Sequence, residues 1–406
     1  MIIEKLDHHL RKALQKHSPH YQLPIILRYR RDKVMPKTLL PHMKVRHQFD
    51  LIPAVALTTT IEEMDRFSED SKVERIWYDQ TVRACLDASV PLIEAPRIWS
   101  AGYDGSGIKV GIVDTGVDPL HPDLSDQIGE MIDVTGEGSP DRSGHGTHVA
   151  GIVAGKGVAS EGQYRGVAPG VQLFAAKVLR SDGSGVMSDT IAGLEWAIQQ
   201  RVDVINLSLG APPPGDGSDA LSEACDAAVL KGFVICVAVG NDGPGEGTVG
   251  SPGCARHVIT VGASTRQDSV APFSSRGPTL DGRNKPDVLL PGEGIVACRA
   301  GNTYAGEALG EMYTRLSGSS MAAPHASGVA ALLLQARPSL TPQGVKRALV
   351  DTALDLGLKA SEQGAGRVQA HQAFVGGDAS TAPDQDLDER EGCLLSSIAP
   401  LLRFFR

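Results

Sequence analysis

An aspartate, a histidine and a serine stand in that chain order, each among glycines and small residues: Asp114 in VGIVDTGVD, His145 in SGHGTHVAG and Ser320 in SGSSMAAPH. These three side-chain types together can carry out acyl transfer. A serine hydroxyl is a weak nucleophile at neutral pH and needs a base beside it. A neutral imidazole can take the hydroxyl proton and later pass it to a leaving amine, while a carboxylate on the other ring nitrogen fixes the tautomer and stabilises the imidazolium. A fourth group, Asn241 in VICVAVGNDG, offers an amide donor for an oxyanion. Ser320 opens a predicted helix, so its own N–H is a second donor, and the positive end of the helix dipole favours negative charge there.

Each string holds a competitor. Ser319 precedes Ser320, His148 lies one turn beyond His145, and Asp118 lies past the turn that follows Asp114. Taken one at a time, the residues have plain explanations as well: Ser320 as a helix N-cap, His145 as a structural group in a glycine-rich helix start, and Asn-Asp-Gly as a turn.

The elements that must hold these residues follow from hydrophobic patterning. Apolar strands are predicted at 109–113, 171–178, 203–207, 233–239 and 258–261, and helices at 146–154, 188–199, 219–231, 321–335 and 342–352. Near-continuous apolar strands alternating with amphipathic helices imply a parallel sheet covered on both faces. Sites in such sheets lie at the carboxyl ends of strands, and Asp114 and Asn241 each follow a predicted strand. Residues 1–85 differ: they are poor in glycine, with strands predicted at 25–30, 50–60 and 73–84 and a helix at 61–70, a small α+β unit. A linker is expected at 86–97 and the main body at 98–377. Residues 378–406 form an acidic linker ending in a short apolar tail, expected to dock on the body and too short to span a bilayer.

Bulk properties exclude other classes. A net charge of −9 with no lysine or arginine stripe argues against nucleic acid as a partner. No run of 18 apolar residues exists, so no transmembrane segment is expected. The N-terminus lacks the apolar core and cleavage site of a secretory signal, and the six cysteines show neither CxxC pairing nor metal-ligand spacing. Reduced thiols and a cytoplasmic location are the expectation.

In chain order and in motif, the protein resembles the subtilisin-like serine peptidases (subtilases), specifically their intracellular branch with long prosegments. HGTHVAG matches as it stands, AVGNDG is close to the family's AAGN(E/D)G, and SGSSMA departs from GTSMA only in having Ser319 at the threonine position. The family patterns select His145 and Ser320 from their competitors. The resemblance implies a three-layer α/β body with a mostly parallel central sheet flanked by helices, preceded by a small α+β prodomain. It implies a serine endopeptidase made as a self-processing precursor, with polypeptide substrates and with residues 1–85 as an intramolecular inhibitor. An extended peptide would pair with two backbone stretches, here represented by Gly183, Ser184 and Gly185 and by Ser208, Leu209 and Gly210. The first pocket would be walled by the latter stretch with Ala238, Gly240 and Gly250, small residues that leave room for a large apolar or aromatic side chain, while Asp242 at the rim favours a basic one. No cofactor is implied for the chemistry. A structural calcium ion is implied by HPDL, with Asp123 as a ligand, although the loop 156–165 lacks the family's usual asparagines.

Two rivals follow from the same residues: a binding module whose prosegment permanently fills the cleft, and an esterase using the same relay. The intact set of four groups opposes the first, and the absence of a G-x-S-x-G elbow around Ser320 opposes the second.

Overall fold

A computed structural model describes residues 3–6, 8–14, 16, 18–30, 45–49, 53–79 and 86–376. The chain divides into two units, residues 1–83 and 84–406. Cys85, Cys393 and the expected tail at 378–406 lie outside the described residues.

The first unit contains α1 (His8–Leu14), β1 (Gln22–Tyr29), β2 (Val45–Phe49), β3 (Ala54–Thr60), α2 (Ile61–Glu69) and β4 (Val73–Tyr78). Its strands form an antiparallel sheet in the order β2-β3-β1-β4. Alternation along β1 buries Leu23, Ile25 and Leu27, which join Leu10 of α1, Met64 and Phe67 of α2 and Ile76 of β4 in one apolar core. A capping box starts α2: Thr60 Oγ1 accepts the Glu63 N–H, and the Glu63 carboxylate accepts the Thr60 N–H. The sequence patterning missed α1 and β2.

The second unit begins with α3 (Leu86–Leu92) and α4 (Ala95–Ser100). These helices occupy the stretch read as a linker. Val90, Ile93, Ala95 and Ile98 are buried in the main core, so the stretch is part of the body. Next come β5 (Lys109–Asp114), β6 (Ile128–Asp133), α5 (His145–Ala154), β7 (Gln172–Lys177), α6 (Met187–Gln199), β8 (Val204–Leu207), α7 (Ala220–Leu230), β9 (Val234–Ala238), β10 (Ile259–Ser264) and β11 (Val288–Pro291). The strands make one parallel sheet in the order β11-β10-β9-β8-β5-β7-β6. A second, three-stranded antiparallel sheet of β12 (Ile295–Cys298), β13 (Glu307–Leu309) and β14 (Tyr313–Leu316) precedes α8 (Ser319–Ala336), α9 (Pro342–Asp351), α10 (Ala360–Gln363) and α11 (Ala370–Val375).

Period-2 alternation separates two cores across the parallel sheet. Val110 and Ile112 of β5 face one way, with Val149 and Ile152 of α5 and Ala326, Val329 and Ala330 of α8. Val113 faces the other way, with Leu194 and Ala197 of α6 and Leu221 and Val229 of α7. Three layers result, and the mostly parallel sheet flanked by helices agrees with the expected class. The sheet brings the C-terminal ends of β5, β7, β8 and β9 to one edge, where the candidate residues stand.

Candidate active site

Asp114 is the last residue of β5 and is fully buried. Its Oδ1 accepts the Thr115 N–H at 2.7 Å and His145 Nδ1–H at 2.7 Å. Oδ2 is buried with no hydrogen-bond partner among the described residues. His145 is the first residue of α5, and its ring stays 27% exposed, enough to meet a ligand. The close approach of α5 to β5 depends on Gly146, because a Cβ there would lie 2.1 Å from the Gly116 carbonyl oxygen.

The turn ahead of His145 is organised by Asp141, which the sequence analysis did not single out. Its Oδ1 accepts from Thr115 Oγ1, Ser143 N–H and Gly144 N–H, and its Oδ2 from the Thr147 N–H and hydroxyl. Burial raises the Asp141 pKa in spite of these bonds. Burial is also the strongest influence on His145, where it disfavours the imidazolium. The charge of Asp114, its hydrogen bond and the charge of Asp141 together outweigh it, so the His145 pKa is raised. His148 is fully buried, with Nε2 3.1 Å from the Ile295 carbonyl and 3.2 Å from that of Thr314, and burial followed by repulsion from His145 pushes its pKa down to about 3. It is a neutral structural group. Asp118 accepts the N–H groups of Leu120 and Gly301, tying two loops together.

Ser319 and Ser320 open α8 and differ sharply. Ser319 is fully buried. Its N–H and its hydroxyl both donate to Asn241 Oδ1, at 2.8 and 3.1 Å, and its hydroxyl oxygen accepts the Gly240 N–H at 3.1 Å. Ser319 therefore fixes the Asn241 amide plane. Ser320 is half-buried, and its hydroxyl donates to the Ser208 carbonyl at 3.2 Å; it makes no hydrogen bond to His145 in this rotamer. A Cβ on Gly318 would sit 3.5 Å from Asn241 Nδ2 and 3.6 Å from the Ser320 nitrogen, so both nitrogens lie near a residue that has no side chain.

Pro324 explains a further tie. A residue at this place in α8 would normally donate its N–H to the carbonyl of Ser320, four residues back, and proline cannot. The freed Ser320 carbonyl accepts the Ser208 hydroxyl at 2.8 Å, and Ser208 in turn accepts from Asn206 Nδ2 at 2.9 Å. The start of α8 is thereby clamped to the end of β8. The i−4 rule applied to Pro324 marks that carbonyl in the sequence, although not its partner.

Two adjoining cavities share Leu209, Gly210, Ala211 and Pro212. One, of about 500 Å³, is lined by His145, Gly183, Ser184, Gly185 and Ser208. The other, of about 320 Å³, is lined by Ala238, Gly240, Asn241, Asp242, Gly250 and Ser320. All the residues expected at the substrate site thus border one or other cavity. The arrangement can bind a chain across the shared wall, with a base at one side and a hydroxyl beside two N–H donors at the other.

Asp123 does not fit the calcium expectation. It is fully buried, with Oδ1 accepting the Ala159 N–H at 3.0 Å and Oδ2 accepting the Tyr313 hydroxyl at 2.8 Å. The Cys298 thiol is 3.8 Å from Oδ2, and burial together with the Asp123 charge raises its pKa well above the ordinary value, so it stays protonated. His121 Nδ1 accepts the Asp123 N–H at 3.1 Å, and Nε2 is 2.7 Å from the Met312 carbonyl. Calcium takes about six to eight oxygen ligands. This carboxylate is surrounded by hydrogen-bond donors instead.

Comparison with known proteins bears on the same arrangement. The subtilase family profile matches residues 105–374. Serine protease AprX of Bacillus subtilis (strain 168) is 39% identical over 333 residues, 75% of this chain and 75% of that protein. Subtilisin DY of Bacillus licheniformis is 42% identical over 271 residues, 66% of this chain and 91% of that protein. The crystal structure of a cold adapted subtilisin-like serine proteinase aligns with a TM-score of 0.55 at 31% identity, covering 66% of this chain and 89% of that one. The chain belongs to the subtilase family, and it is a serine endopeptidase.

Proposed function

We propose that the protein hydrolyses peptide bonds through Asp114, His145 and Ser320 by way of an acyl-enzyme. The observation that carries this reading is the 2.7 Å bond from His145 Nδ1 to the buried Asp114 carboxylate. It commits the ring proton to Nδ1 and leaves the Nε2 lone pair free to act as a base. Ser320 Oγ leaves the Ser208 carbonyl and attacks the substrate carbonyl carbon, and its proton passes to Nε2. The resulting oxyanion is held by Asn241 Nδ2 and the Ser320 N–H. Collapse breaks the C–N bond, and the proton moves from Nε2 to the leaving amine. Water then repeats the sequence on the ester, releasing the acid and restoring Ser320.

The substrate chain pairs with Gly183, Ser184 and Gly185 on one side and with Ser208, Leu209 and Gly210 on the other. Ala238, Gly240 and Gly250 bound a first pocket that suits an apolar side chain. Residues 1–85 serve as an inhibitory prosegment, removed by self-processing; the subtilase membership and the small α+β fold of that unit support this. The test is Ser320→Ala. It should abolish casein hydrolysis and leave the N-terminus intact by N-terminal sequencing. Casein hydrolysis at the unmodified rate would overturn the assignment.

A further inference from the structure

Lys177 ends β7 and is fully buried. An ammonium group removed from water is tolerated only when its N–H donors are matched by acceptors. Here Nζ donates to the Leu179 carbonyl at 2.7 Å and to the Thr115 carbonyl at 3.3 Å, and it pairs with Glu137 Oε2 at 3.4 Å. The three acceptors come from three segments: the exit of β7, the turn after Asp114 and the turn after β6.

Glu137 makes one more connection. Its Oε2 accepts the Ser181 N–H at 2.8 Å. The turn that presents it is set by Asp133, which accepts from the Thr135 N–H at 2.9 Å, the Thr135 hydroxyl at 2.7 Å and the Gly138 N–H at 2.7 Å. Beyond Ser181 the segment closes on itself, with the Arg180 N–H on the Ser184 carbonyl at 2.7 Å and the Ser184 N–H on Asp182 at 2.8 Å. The backbone bonds from Val178 and Leu179 to the Asp114 carbonyl stop before the segment begins.

We infer that Lys177 and Glu137 form a substrate-positioning pair. They hold the 181–185 segment at a fixed place relative to the Asp114–Thr115 turn, so that a peptide paired with that segment arrives in register with His145. The inference rests on the proposed reading of 181–185 as a substrate-pairing edge. Neither side chain touches substrate; both act through the backbone they tether. A purely structural ion pair would change the melting temperature and leave the dependence on substrate length alone.

The experiment compares two substrates on enzyme matured from the full chain by its own processing: an acylated tetrapeptide p-nitroanilide, which reaches the 181–185 edge, and a one-residue acyl-amino-acid nitrophenyl ester, which does not. Glu137→Gln keeps an acceptor but removes the charge that anchors Lys177. It should raise KM for the tetrapeptide about three- to tenfold with kcat nearly unchanged, and leave the ester kinetics as they were. Lys177→Met should produce the same length-dependent KM shift together with a lower melting temperature, and the double variant should keep the KM shift. A folded Glu137→Gln protein with unchanged tetrapeptide KM, or with equal KM changes on both substrates, would overturn the inference. Ser320→Ala serves as the separate control: if it still turned over either substrate, the proposed function itself would fall.

Discussion

Asn241 allows the oxyanion proposal to be separated from the stability of the fold. Its two side-chain atoms have different duties: Oδ1 accepts two bonds from Ser319, at 2.8 and 3.1 Å, while Nδ2 is the proposed donor. Asn241→Asp keeps an oxygen for Ser319 and exchanges the donor for a second acceptor. Asn241→Ala removes both. Losing one of two oxyanion donors costs about 10²- to 10³-fold in kcat, or roughly 2.7–4 kcal/mol of transition-state stabilisation. The alanine variant also orphans the buried Ser319 N–H, at about 1–3 kcal/mol of stability. Both variants should therefore lose at least about a hundredfold in kcat with KM little changed, since the donor acts on charge that develops only in the transition state. Only Asn241→Ala should melt appreciably earlier. The assay is hydrolysis of a peptide p-nitroanilide with active-site titration, alongside a thermal melt of each variant on a Ser320→Ala background to prevent autolysis. A kcat for Asn241→Asp within about threefold of the parent, or a loss confined to KM, would refute the reasoning.

Three further outcomes follow. Because the proposed base, His145, has a raised pKa, activity should be lost as pH falls through a value above the ordinary imidazole figure of about 6.5; Asp141→Asn should move that limb downward, and a parent limb at or below about pH 6.5 would contradict it. His148 and His325 are fully buried, with pKa values pushed down by burial to about 3 and about 4, so the unfolded chain takes up their protons first. Stability is then complete above about 6.5 and falls as pH drops towards 4, by roughly 2 kcal/mol per histidine at pH 5; urea melts of Ser320→Ala protein at pH 7 and pH 5 check this, and equal midpoints would refute it. Tyr313→Phe, which removes a donor from Asp123, should lower the melting temperature, and Asp123→Asn should leave the response of the melt to calcium or a chelator as it was; a calcium-dependent rise abolished by Asp123→Asn would contradict the donor-filled cage.

The strands at the centre of the sheet were legible because they are buried on both faces and read as continuous apolar runs; β5, β7, β8 and β9 lie within one residue of expectation. β6 was missed because it is a partly exposed edge strand, IGEMID, with no clear alternation, and β11 because VLLP is four residues ending in proline. The stretch 86–97 was misread because two short helices around Pro91 and Pro96 resemble a linker until the burial of Ile93 and Ala95 is known. In the site, glycine-flanked motifs picked out the four groups proposed for the chemistry, and family pattern chose between adjacent serines. The difference between the two serines, the burial of Ser319 and its three hydrogen bonds, is tertiary. The same holds for Asp141, Lys177 and Glu137, whose partners lie in other segments, and for Asp123, whose HPDL setting gave no sign of Tyr313 or Ala159.

Covalent capture tests the proposed nucleophile most directly. Protein matured from the full chain by its own processing, treated with a fluorophosphonate and mapped by peptide mass spectrometry, should carry one phosphonyl adduct, on Ser320, and Ser320→Ala protein should carry none. An adduct on Ser319, or equal labelling of the Ser320→Ala protein, would contradict the account.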